Sequence, residues 1–162
     1  MATKIHNIDD WPRGTNPPIR INLSDPQGIR SLVGSTIAIV IRDENWEDSL
    51  TDESARVKRR VRCWQVQNED DLEAIVGASE NDLCWVNEFE NVRVYDGSEW
   101  VPGNTEENHI VEGQLTFRFS RSEMMLPVGS YYYSIDIRLP DGEVAKILKG
   151  KLKITPNTVN EL

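Results

Sequence analysis

An all-β, two-layered fold is what this sequence predicts, and three observations predict it. Apolar and polar residues alternate in several short runs, turn residues stand between those runs, and helical periodicity is nearly absent. That pattern favours an antiparallel β-sandwich over a helical or βαβ fold. At 162 residues, 38% hydrophobic and 28% charged, the chain is long enough for one domain with a smaller excursion.

Residues 1 to 17 contain Pro12, Gly14 and Pro17 without a strand or helix period, and they read as an extended arm suited to docking on a neighbour, or as a loose terminus. The first strand follows, with Ile19, Ile21 and Leu23 on one face, and Asp25-Pro26-Gln27-Gly28 turns it. Thr36 to Arg42 reads as a central strand, since Ala38 and Val40 leave even its second face weakly apolar. Asp43 to Glu53 is an acidic loop around Trp46.

After it, Arg56, Lys58, Arg59, Arg60 and Arg62 alternate with Val57, Val61 and Cys63, the pattern of a strand with a cationic face. Such a face pairs with the neighbouring acidic loop, docks an acidic partner surface or contacts nucleic acid. Asn68 to Val76 begins as a short helix, capped by Asn68, with Glu69, Asp70 and Asp71 in its first turn and Leu72, Ile75 and Val76 on one side. Leu83 to Val86, Val92 to Tyr95 and Glu99 to Val101 then form a small meander, with Asp96-Gly97 as its tight turn. Leu115, Phe117 and Phe119 mark another strand, and Tyr131 to Leu139 with Val144 to Ile154 make the clearest hairpin, turned by Pro140-Asp141-Gly142.

A net charge of -9 argues against counterion-release binding of nucleic acid. The longest unbroken apolar run, Ile37 to Ile41, is five residues, far short of the roughly 20 a spanning helix needs, so no membrane insertion is expected. The amino-terminal residues show no apolar signal segment, which predicts folding in the cytoplasm. Cys63 and Cys84 lack the clustering of a zinc site and are expected to be reduced thiols. No phosphate loop, nucleophile elbow, His-Glu-x-x-His or EF-hand pattern occurs, so neither catalysis, a cofactor nor a metal is expected.

Gly129 to Val144, with Lys149-Gly150-Lys-Leu-Lys-Ile154, resembles the end of Ig-like domains in bacteriophage tail and baseplate proteins, in particular the upper baseplate protein N-terminal family. Pro18 to Asp25 and Gly34 to Asp43 are similar to the first strands of that domain. Between them, Asp82 to Val86 and Val92 to Trp100 resemble a small β module of phage tail-fibre proteins, ending in Asp-Gly-Ser-x-Trp. The resemblance implies an Ig-like sandwich from 18 to 65 and 104 to 156, an inserted module from 66 to 103 and a tail from 157 to 162.

It also implies a non-enzymatic virion protein, a tail or baseplate assembly or fibre-attachment adaptor. Its partners would be other virion proteins in a symmetric assembly, formed in the bacterial host cytoplasm. The alternatives are a capsid decoration or head-tail connector protein and a carbohydrate-binding host-recognition module. The candidate interaction residues are Trp46, Arg59, Arg60, Arg62, Trp85, Tyr95 and Trp100. Trp85, Tyr95 and Trp100 make a sugar-stacking platform for a host glycan, a miniature hairpin core or a protein anchor.

Overall fold

A computed structural model describes residues 4–25, 27–43 and 55–157. The expected period-two runs become strands: β1 (Lys4–Ile5), β2 (Ile8–Pro12), β3 (Ile19–Asn22), β4 (Ser24–Asp25), β5 (Gly28–Ile29), β6 (Thr36–Arg42) and β7 (Ala55–Val66). After helix α1 (Glu69–Glu73) come β8 (Leu83–Val86), β9 (Asn91–Tyr95), β10 (Trp100–Pro102), β11 (Gln114–Phe117), β12 (Gly129–Arg138) and β13 (Val144–Thr155). The chain is all-β. One large sheet runs β1-β13-β12-β6-β7-β8-β9-β10, with β2 also on β13, and a two-stranded sheet, β3–β11, forms the second layer.

Strand β6 is central, as its doubly apolar pattern predicts, paired antiparallel with β12 and β7. Ile37, Ile39 and Ile41 bury completely, and they share one core with Ile21, Leu115 and Phe117 of the smaller layer. That burial, about 1.5–3 kcal/mol for each large apolar side chain, holds the layers together. Arg59 clasps them from the edge. It donates to the Arg118 carbonyl at 3.1 Å and to Glu123 at 2.6 Å, with its guanidinium over the Phe119 ring.

Residues 4 to 12 do not form the arm expected for docking on a neighbour. β1 and β2 pair in parallel with β13 of the same chain. The physical reason is the length of β13: its twelve residues leave an edge on the side away from β12, and an open edge is satisfied by any strand that reaches it. Trp11, 2% exposed, anchors the segment in the core.

The segment from 66 to 103 extends the main sheet. β8 adds in parallel to the last four residues of β7, Cys63 facing Leu83 and Val66 facing Val86. A parallel neighbour needs a crossover, and residues 67 to 82 provide it through α1, so a local β–α–β unit interrupts the antiparallel pattern expected throughout. Asn68 caps the helix as predicted, its side chain accepting from the Asp71 N–H at 2.9 Å. The helix ends sooner than its pattern suggests: Leu72 buries against Cys84 and Val86, whereas Val76 is 92% exposed.

Candidate interaction surface

Register decides which side of the sheet each candidate residue occupies. In β7, Val57, Val61 and Cys63 point into the core, so Lys58, Arg60, Arg62 and Trp64 occupy the outward positions. Arg59 falls on the core side and acts as the clasp described above. Arg60 is exposed. Of the three candidate arginines, it is the one presented outward without a described ion pair.

Arg62 is outward but engaged. Its backbone N–H and Nε donate to the two oxygens of Asp82 at 2.9 and 3.1 Å, and its terminal nitrogen lies 3.0 Å from Oδ2 and also donates to the Gly77 carbonyl. Ser79 N–H closes the site at 2.8 Å from Asp82 Oδ2. Asp82 is 1% exposed, and it locks the crossover onto β7. Its importance was invisible among the other acids because only the fold brings Arg62 opposite it. The guanidinium of Arg62 also covers the Trp64 ring at 4.8 Å.

The three aromatic candidates do not make one platform. Trp85 lies on the core side, 7% exposed and stacked on His109 with ring centroids 4.5 Å apart. Tyr95 and Trp100 face each other across the β9–β10 register on the opposite side, half-buried, with ring centroids 5.2 Å apart in an edge arrangement. Trp100 meets Trp64 in the same way at 5.9 Å. Edge-to-face packing of this kind is how a small apolar cluster fills space. Trp46 lies outside the described residues.

Outward positions on the neighbouring strands extend the cationic row of β7 into a face. The cross-strand partners run Lys149–Ser134–Val40–Lys58, Lys146–Asp136–Ala38–Arg60, and Val144–Arg138–Thr36–Arg62, with Lys151 beside Tyr132 and Arg42, and Lys153 beside Ser130. Nine of the chain's eighteen Lys and Arg thus occupy the positions of β13, β12, β6 and β7 that face away from the core, against one acid on those strands, Asp136, which pairs with Lys146 at 3.3 Å; of the nine, Arg42 is 5% exposed and Arg62 is held by Asp82. Arg60, Arg138, Lys151 and Lys153 are exposed. Arg56, the remaining member of the basic run, pairs with Asp43 at 2.9 Å where β6 and β7 end, which is the local neutralisation expected between run and loop.

The second layer carries an open polar groove of about 430 Å3 between β3, β11 and the 104–107 turn, lined by Arg20, Asn22, Asn104, Glu107, Gln114 and Thr116 among others. Glu107 is committed there to Arg118 at 2.5 Å, and this pairing holds its carboxyl below the usual carboxylate range. Both cysteines are free thiols, as expected. Cys63 faces the main core and Cys84 the cluster under α1, so neighbouring strands place them on opposite sides of the sheet. Burial raises both, Cys84 to about 12. Among the described residues no group of three His, Cys, Asp or Glu side chains is arranged to hold a metal ion. Compared with protein-family models, curated proteins and solved structures, the chain matches none.

Proposed function

We propose that this chain is a non-enzymatic structural protein of a bacteriophage tail or baseplate, acting as an assembly or fibre-attachment adaptor. The observation that supports this reading best is the cationic outer face of β13-β12-β6-β7 in a chain whose net charge is -9. Half of the chain's cations lie on one side of a sheet fixed by hydrogen bonds, and Arg60, Arg138, Lys151 and Lys153 among them are exposed. Such a surface steers an acidic partner and sets its orientation. The resemblance of both ends of the chain to tail and baseplate domains supplies the setting. The mechanism is docking: rigid strands hold the charges in place, and repeated copies turn modest contacts into a stable particle.

Mass spectrometry of purified virions from a phage that encodes this chain tests the reading. The chain is expected among the tail components, and its absence from mature particles overturns the proposal. Arg60→Glu with Lys151→Glu is expected to reduce incorporation while the isolated protein stays folded. Unchanged incorporation would remove the cationic face from the mechanism.

A further inference from the structure

Acidic charge is concentrated in one segment of this chain. Residues 66 to 103 hold ten Asp and Glu against a single Arg, Arg93, a net charge equal to that of the whole molecule. The cationic face runs from β7, beside β8, to β13, where Lys151 and Lys153 lie farthest from it. Four strand spacings separate β13 from β8, about 19 Å, roughly twice the Debye length at physiological salt. Arg62 on β7 is already paired with Asp82, but Lys151 and Lys153 on β13 lie too far from the acids around α1 for the two to neutralise each other within one molecule.

Resting on the docking function proposed above, we infer that the cationic face receives a second copy of this chain, through the acidic surface around α1. The match is one of sign and of accessibility. Asp70, Asp71, Glu73, Glu88 and Glu90 are exposed on or beside α1, and Arg60, Arg138, Lys151 and Lys153 are exposed on the receiving face. Leu72, the apolar residue of α1, is already buried against Cys84 and Val86, so charge is the main feature that α1 itself presents, with Val76 and Phe89 exposed beside it. The contact is electrostatic and joins unlike surfaces of identical chains. Because α1 and the cationic row lie on the same side of the sheet, it either closes reciprocally about a twofold axis or propagates head to tail as a ring or filament.

Sedimentation velocity on the full chain tests this. Wild-type protein is expected to associate with rising concentration at 50 mM salt and to dissociate at 500 mM, since exposed charge contacts are screened. Lys151→Glu with Lys153→Glu, and separately Asp70→Lys with Glu73→Lys, should each weaken self-association about tenfold or more while circular dichroism stays unchanged. Mixing the two variants should give a 1:1 complex, because one retains the acidic surface and the other the basic face. Wild-type protein that stays monomeric at low salt, or association insensitive to salt, overturns the inference without a variant having to fold. A monomeric chain found in virions would sink this inference and leave the tail or baseplate reading intact. A self-associating chain absent from virions would do the reverse.

Discussion

The carbonyl oxygen of His6 occupies the space a side chain on Gly150 would need: an ideal Cβ there would stand 1.8 Å from it. The same carbonyl accepts the Tyr133 hydroxyl at 2.7 Å, and the His6 N–H donates to the Lys149 carbonyl at 2.9 Å. The first strands are thus seated in a notch that only glycine leaves open. Gly150→Ala is expected to displace residues 4 to 8 while the core stays folded, read as faster amide exchange confined to β1 and β2. Tyr133→Phe, which removes one hydrogen bond, should cost about 1 kcal/mol. Exchange in β1 that is unchanged by Gly150→Ala would contradict the notch.

Asp82 and Arg62 give the second prediction. A carboxylate 1% exposed that accepts from two backbone N–H groups and a guanidinium cannot be removed without stranding its donors. Asp82→Ala is expected to destabilise by about 3 kcal/mol in urea unfolding. Glu80→Ala, an exposed acid two residues away, should stay within about 0.5 kcal/mol. Equal effects of the two would show that the Arg62 site is not what holds the crossover.

Trp85 and Trp100 should separate sharply. Trp85→Ala opens a cavity in the main core beside His109 and is expected to cost about 3–5 kcal/mol. Any loss of glycan binding by that variant would therefore report unfolding. Half-exposed Trp100 is the residue that tests a sugar platform, together with Tyr95. Glycan-array binding by wild-type protein that Trp100→Ala abolishes at unchanged thermal midpoint would favour the carbohydrate reading over assembly.

Stability should fall at alkaline pH. Burial raises Tyr133 from 10.0 to about 12 and Cys84 from 9.0 to about 12, and it raises Cys63 as well. The unfolded chain then releases protons that the folded chain keeps, so stability is intact below pH 9 and declines between pH 9 and 12. The slope is at most about 1.4 kcal/mol per pH unit for each group. Thermal midpoints measured from pH 7 to 11 check this, and Cys84→Ser should flatten the part that begins near pH 9. A midpoint constant to pH 11 would exclude the buried thiols and Tyr133 as the cause.

The body of the fold was legible because local alternation decides it. Thr36 to Arg42 is a strand with the predicted limits, and the Tyr131 to Leu139 hairpin pairs with Val144 to Ile154 as its turn implies. The parallel attachments were not legible, because whether Ile8 meets Leu152 or Cys63 meets Leu83 depends on which edges remain open once other strands have paired. The cationic face was half legible. Alternation in β7 marks a cationic strand, but only β6 and β12, lying between, show that Lys58 and Lys149 belong to one face. Alternation also places Arg59 opposite Arg60, a distinction the run of like charges concealed.

The pairing of β1 and β2 with β13 sets an order of events during synthesis. Strands β1 and β2 leave the ribosome before their partner β13, which is made more than 130 residues later. Those two strands therefore wait, unpaired, until β13 has emerged, and closure of this edge of the sheet is a step of high contact order.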